Sequence, residues 1–157
     1  MGNISVEEFT GLIAGITSRI AGQALDSQLD VRLNAEFPAN GAEFGRIFDA
    51  CKGAIAAGWM CNREAGGIKF GRVVKPSEAI HGFSVDVVEM NACRGPHHRH
   101  PNGEIDMIMP LDPGAQFDGR GRGWLVYPAG HAHYPTVTGG RAIVLYLLPG
   151  GAIEFTK

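Results

Sequence analysis

Five of the six histidines in this 157-residue chain fall in two short windows. The first reads Gly95-Pro96-His97-His98-Arg99-His100-Pro101-Asn102-Gly103-Glu104 and the second Pro128-Ala129-Gly130-His131-Ala132-His133. Residues two apart in an extended strand share a face, so His98 and His100 present two imidazoles to one point. The Pro101-Asn102-Gly103 turn then reverses the chain, and Glu104 opens the next strand as a third ligand. Pro128-Ala129-Gly130 makes a tight turn ahead of a further strand, from which His133 supplies a fourth ligand across the sheet. Three imidazoles and one carboxylate suit a divalent transition metal such as Fe, Mn, Zn, Ni or Cu, and are too nitrogen-rich for Ca or Mg. The plain alternative is a β-barrel with incidental histidines around its mouth.

The companions of these residues are candidates in their own right. Strand alternation turns His97 away from His98. His131 shares a face with His133 and is placed as a base or a substrate contact, with a solvated loop histidine as the bland alternative. His81, ahead of Gly82 in a turn, reads as structural.

Such ligands need a rigid framework, and the sequence supplies one after Gly58. Ile68–Val74, Phe83–Val88, Ile105–Met109, Trp124–Tyr127 and Ala142–Leu148 read as strands, separated by Gly-, Pro- and Asn-rich turns. Short strands at steady spacing indicate a sandwich or barrel. Ahead of them, residues 5 to about 58 have helical spacing. Ser5 with Glu8 forms a capping box for a stripe of Phe9, Leu12, Ile13, Ile16 and Ile20. A shorter stretch carries Leu25, Leu29 and Leu33 and stops at Pro38. A third is expected to begin at Asn40, with Phe44, Ile47, Phe48, Cys51 and Ile55 as its stripe. The fold class expected is therefore α+β, with a helical N-terminal extension over residues 1–60 and an all-β unit over 61–157.

Composition narrows the function. Hydrophobic residues make up 45% and charged residues 19%, which is globular rather than disordered. The net charge of −2 offers no clustered positive surface, so no nucleic-acid or membrane partner is expected. Cys51, Cys61 and Cys93 form no CxxC and read as free thiols of a reducing compartment. No signal peptide or transmembrane run is read, and Met1-Gly2 followed by Glu7 is a poor myristoylation signal. The expectation is a cytoplasmic protein.

The pattern His98-x-His100-x3-Glu104 followed by Pro128-x-Gly130-x2-His133 resembles the two motifs of the cupin superfamily. That resemblance implies an antiparallel jelly-roll β-barrel with His98, His100, Glu104 and His133 as metal ligands. It departs from the family pattern at non-ligand positions: Val137 stands where a trailing Asn is usual, and the first motif's closing Gly falls late, at Gly114. A narrower resemblance rests on Cys61–Val73, on Gly95–Asp106 and on the ending Leu147–Phe155. Together with the helical amino-terminal third, these are similar to the 4-hydroxylaminobenzoate lyase family of nitroaromatic degradation.

The family resemblance implies conversion of 4-hydroxylaminobenzoate and water to 3,4-dihydroxybenzoate and ammonia. The reaction is redox-neutral, because the N–O bond supplies the oxidising equivalents, and no dinucleotide fingerprint is needed or present. It requires a general acid/base, for which His131, Asp106 and Glu64 are the candidates. Asp106, two residues beyond Glu104, shares its inward face. The aromatic carboxylate substrate calls for a guanidinium, with Arg72 first and Arg63 next, while Arg99 should point outward. Tyr134 and Trp124 are candidates to stack on the ring, although an aromatic in such a strand is more often core. A homodimer is the default for a small cupin.

Two rival readings use the same motif. A metal-dependent cupin dioxygenase acting on a small aromatic acid or thiol would consume O2. A non-catalytic ligand-binding cupin would usually carry an output module, and the amino-terminal helices show no basic recognition face. A sugar-phosphate isomerase would want clustered Arg and Lys, which are missing.

Overall fold

The computed structural model describes residues 4–156, so the Met1-Gly2 start lies outside the described residues. Three helices, α1 (Val6–Ile20), α2 (Ser27–Glu36) and α3 (Ala42–Ala57), precede the β elements. These are β1 (Arg63–Ala65), β2 (Ile68–Val74), β3 (Phe83–Asn91), β4 (His98–Arg99), β5 (Glu104–Pro110), β6 (Gln116–Phe117), β7 (Gly123–Tyr127), β8 (Ala132–His133), β9 (Val137–Thr138), β10 (Arg141–Pro149) and β11 (Glu154–Phe155). Local chemistry starts each helix. Ser5 Oγ accepts from the Glu8 N–H while Glu8 Oε1 accepts from the Ser5 N–H, closing the expected capping box. The Asp26 carboxylate accepts from the Leu29 N–H at 2.9 Å and caps α2. The third helix begins later than Asn40: the Gly41 N–H donates to the Pro38 carbonyl, which places Asn40 inside a turn and leaves Gly41 as an uncharged cap.

The strands pair antiparallel throughout the described residues, in a six-stranded sheet of order β1-β2-β3-β10-β5-β7, a three-stranded sheet β11-β4-β8 and a two-stranded sheet β6-β9. The central strands β3, β10 and β5 of the large sheet are buried on both faces, while β1 is exposed. Val85, Val87, Ile105, Met107, Ile143, Leu145 and Leu147 join Phe9, Ile13, Leu33, Phe44 and Ile47 of the helices in one core. Met90, Ile108, Val144, Tyr146 and Leu148 meet Phe117 and Val137 of the small sheets in a second. Burial on both sides explains why the strand sequences read as continuous apolar runs rather than alternating ones. Trp124 belongs to the helix side, edge-on to Phe44 and donating through Nε1 to the Phe37 carbonyl, so it is core rather than ring-stacking. His81 ties α1 down through a 2.8 Å hydrogen bond with Thr17.

The β7 edge of the large sheet is covered by α2 rather than by another strand. Asn34 of α2 accepts from the Trp124 N–H and donates to the Trp124 carbonyl, taking the place of a neighbouring backbone. Asp30 accepts from the Val126 N–H and from Arg120. Covering an edge in this way satisfies its backbone and blocks pairing with other chains. The expected effect of Asn34→Leu is a loss of about 2 kcal/mol from the stranded Trp124 N–H. Thermal unfolding should then shift down by roughly 4–8 °C. An unchanged Tm would mean that water replaces the amide at no cost.

Candidate metal centre

The two histidine windows meet because β4 and β8 are hydrogen-bonded neighbours in which His98 pairs directly with His133. The strand ends at Arg99, but the ladder continues one step through the His100 N–H, which donates to the His131 carbonyl. Gly103, at φ +90°, turns the chain into β5, and a Cβ there would meet Leu25 at 2.8 Å and the Tyr127 carbonyl at 2.9 Å. The turn delivers Glu104 at the first position of β5, facing the same point. His98, His100 and Glu104 are fully buried or nearly so.

One ligand atom from each of His98, His100, Glu104 and His133 lies within 4.8 Å of the others. Ligand bonds of about 2.0–2.2 Å set donors at most about 4.4 Å apart, so these atoms need to draw in by only a few tenths of an ångström around an ion. The donor atoms are also otherwise idle: His98 Nε2, His100 Nε2 and Glu104 Oε2 are buried without a hydrogen-bond partner. His100 Nε2 stands 2.9 Å from Glu104 Oε1 without hydrogen-bond alignment. Converging unpartnered lone pairs in a buried site are costly unless a cation joins them, so the residues present fit a divalent metal.

Two of the candidate ligands are oriented from behind. His133 Nδ1 is 2.7 Å from Asp118 Oδ2, which also accepts from the Tyr127 hydroxyl at 2.7 Å, and Asp118 Oδ1 accepts from the Thr136 N–H. His100 Nδ1 is 3.3 Å from the Ala152 carbonyl. Both contacts place the proton on Nδ1 and free Nε2 for a metal. In the metal-free protein burial lowers the His133 pKa, but hydrogen bonds to Asp118 and Glu104 outweigh it and raise it to about 9. Glu104 shows the same competition: burial raises it, while the adjoining His100 and the hydrogen bond with His133 carry it below the usual carboxylate range.

Asp106 lies beside Glu104 on the inner face, fully buried with both oxygens unpartnered by any standing donor. Burial, then the charge of Glu104, pushes it well above the usual carboxylate range. The pair therefore holds one proton, which stays on Asp106 while Glu104 is ionised.

A cavity of about 380 Å³ adjoins the cluster, with His98 in its wall. Phe70, Val88, Met90, Ile153 and Phe155 give it apolar sides, and Arg72, Asp86 and Tyr146 are its polar groups besides His98. Arg72 is held by Asp86 through Nε at 2.7 Å and Nη2 at 3.1 Å, and Nη2 also donates to the Gly151 carbonyl at 2.9 Å. Its Nη1 makes none of these bonds.

The other sequence candidates are spread more widely. His131 stacks on Tyr127 with ring centroids 4.0 Å apart and lies 5.2 Å from the His133 ring, and burial lowers its pKa. Glu64 is exposed on β1, on the strand face opposite Ala65, which lines the cavity; alternation thus turns its carboxylate away. Arg63 shares the Ala65 face but is exposed. Tyr134 is 41% exposed, under Arg94 at 4.2 Å and beside His97, outside the cavity lining. Arg99 points outward to Glu154 at 2.8 Å. Sequence reasoning did not single out Asp118 or Tyr146. Asp118 sits in a Gly-rich turn that reads as loop, and Tyr146 in an apolar run that reads as core.

Comparison with known proteins gives a consistent family. The 4-hydroxylaminobenzoate lyase family model matches residues 11–155. A 4-hydroxylaminobenzoate lyase of Nocardioides sp. (strain LMS-CY) is 36% identical over 151 residues, covering 89% of this chain and 86% of the relative. One from Pseudomonas putida is 28% identical, covering 95% of this chain and 94% of the relative. Among solved structures, the DMSP lyase DddQ from Ruegeria pomeroyi DSS-3 superposes with a TM-score of 0.50 at 18% identity, over 92% of this chain and 76% of that one. That likeness speaks for the fold alone.

Two outcomes follow from the cluster. His100→Ala should abolish stoichiometric metal, and Asp118→Asn should weaken metal binding by about 10–100-fold, both read by metal analysis after dialysis. Full occupancy in His100→Ala would sink the four-ligand assignment. Burial and the charges of His100 and His133 lower His98 from 6.5 to about 4. Below its ordinary pKa the unfolded chain takes up a proton that the folded chain refuses until about pH 4. The metal-free protein should therefore lose stability as pH falls across that window. Thermal unfolding in chelator should show this fall, and His98→Gln should flatten it. An equal fall in both proteins would assign it to other groups.

Proposed function

This chain belongs to the 4-hydroxylaminobenzoate lyase family, and we propose that it converts 4-hydroxylaminobenzoate and water to 3,4-dihydroxybenzoate and ammonia. The enzyme is a lyase, and the observation that carries the substrate reading is the shared wall. His98 belongs both to the metal-ligand cluster and to an apolar cavity that ends in a guanidinium. Such a cavity suits a flat aromatic anion whose reacting substituent must meet the cluster.

A divalent transition metal held by His98, His100, Glu104 and His133 would supply Lewis acidity towards the hydroxylamine oxygen. The remaining work falls to the chain. Phe70, Val88, Met90, Ile153 and Phe155 hold the ring and exclude water. Arg72 Nη1 takes the substrate carboxylate, while Asp86 and the Gly151 carbonyl fix the guanidinium in place. A Cβ at Gly151, at φ +69°, would meet Arg72 Nη1 at 2.7 Å, so only glycine lets the C-terminal turn lie against it. The N–O bond breaks as a ring C–O bond forms, and water then replaces nitrogen at the ring carbon, so no external oxidant is consumed. Protons are needed at the departing oxygen and at nitrogen. In this reading Asp106 holds one on its carboxyl, and neutral His131, whose ring is 5.2 Å from that of His133, accepts one. Glu64, turned away on β1, takes no part in this reading.

Residues 61–157 form the cupin unit in this reading, with the two small sheets and the large one as its opposed walls, and residues 1–60 form an extension that covers the outer face. The homodimer would use the exposed edge strand β1. A cytoplasmic site of action fits the three free cysteines. Among the described residues, no helix is long and apolar enough to cross a membrane.

The direct test is anaerobic incubation of metal-analysed protein with 4-hydroxylaminobenzoate, following ammonia and 3,4-dihydroxybenzoate together. Equal yields without oxygen are expected. Absence of product, with turnover of an aromatic acid or thiol once O2 and Fe(II) are supplied, would replace the lyase by a dioxygenase. Arg72→Leu should raise KM at least tenfold for the carboxylated substrate and much less for its methyl ester. Equal effects on both would leave Arg72 purely structural.

A further inference from the structure

Cross-strand register lines up one row of polar groups on the inner face of the large sheet. Arg72 of β2 pairs with Asp86 of β3, Asp86 with Tyr146 of β10, and Tyr146 with Asp106 of β5. Partners in an antiparallel ladder share a face, so these side chains run from the guanidinium end of the cavity to the carboxyl beside the metal ligands. Tyr146 occupies the middle of the row. It lines the cavity, and its ring is 6.4 Å from that of His98 and 6.2 Å from that of His100. Among the described residues, no other apart from His98 itself both lines the cavity and packs its ring against two of the proposed ligands.

The polar groups of the cavity differ in what they already bind. Arg72 and Asp86 satisfy each other, and His98 Nε2 faces the cluster. Tyr146 is 5% exposed and feels the charges of Asp106, Glu104, Asp118 and Asp86, yet its hydroxyl makes no hydrogen bond to any of them. Its hydroxyl is not among the fully buried polar atoms that lack a partner, so the oxygen keeps access to the cavity that Tyr146 lines. A Phe would fill an apolar sheet face equally well, so an oxygen open to the cavity and not bonded to these carboxyls points to a ligand that completes it. Two strand steps separate Tyr146 from Arg72, about 10 Å between Cα positions, the scale of a benzoate with a para substituent.

We propose that Tyr146 is a substrate-contacting residue, its phenol donating a hydrogen bond to the para hydroxylamino group of a benzoate whose carboxylate lies on Arg72. This rests on the lyase reading for the identity of the para group, but the position of the phenol in the cavity is independent of it. The hydrogen bond would hold the N–O oxygen towards the cluster and distinguish a hydroxylated para substituent from a bare ring.

The test is Tyr146→Phe, which removes one oxygen and keeps the ring. Metal content and Tm should match the wild type, kcat for 4-hydroxylaminobenzoate should fall at least tenfold, and KM should change much less. In parallel, equilibrium binding of the unreactive pair 4-hydroxybenzoate and benzoate is compared in the metal-loaded proteins. The wild type should favour 4-hydroxybenzoate by about fivefold, the scale of one neutral hydrogen bond, and Tyr146→Phe should bind both equally. Unchanged kcat together with an unchanged binding preference would overturn the proposal. If the wild type makes no ammonia, the lyase reading fails. The binding preference alone then decides whether Tyr146 recognises a para hydroxyl: its loss in Tyr146→Phe supports that contact, and its persistence or absence in the wild type refutes it.

Discussion

A carboxylate removed from water is the constraint on which this molecule is arranged. Glu104 is wholly buried among three imidazoles, and an ionised carboxylate in such a place is stable only with compensating charge and hydrogen bonds. The compensation comes from several parts of the chain at once. His98 and His133 arrive as a cross-strand pair, His100 comes from the residue beyond that pair, and Asp106 keeps its proton so that a second negative charge does not appear beside the first. A metal ion would satisfy the same demand more fully, because it would use the three idle donor atoms together.

That demand propagates outward through the groups that aim the ligands. Asp118 holds His133 and is itself fixed by Tyr127 and the Thr136 backbone. The Ala152 carbonyl holds His100, so the C-terminal segment is part of the site. The same segment supplies Ile153 and Phe155 to the cavity and, through the Gly151 carbonyl, a bond to Arg72. One short stretch of chain thus links the metal end of the cavity to its guanidinium end.

The large sheet divides the labour between its faces. The helices bury the outer face with an ordinary hydrophobic core, and α2 closes the β7 edge through Asp30 and Asn34. Stability drawn from that side leaves the inner face free to carry polar residues that a core of this size would otherwise exclude. The row Arg72, Asp86, Tyr146 and Asp106 interrupts the apolar inner face only where the cavity and the ligand cluster need it.

Much of this was legible in the residues taken in order. The four clustered candidate ligands, the capping box at Ser5 and the five longer strands depend on local spacing, turn chemistry and side-chain type, and these are written in neighbouring positions. Short pairings were not legible: β4, β8 and β11 span two residues each, too few for any periodicity to register. Nor were the roles of Asp118 and Tyr146. An aspartate in a glycine-rich turn looks solvated and a tyrosine in an apolar run looks like core, until register brings one behind His133 and the other between two carboxyls. Sequence by itself determined which donor atoms exist and which strand faces they share. The tertiary structure alone decided what stands behind each donor, which arginine reaches the cavity and which way Glu64 turns, because those depend on contacts between residues far apart in the chain.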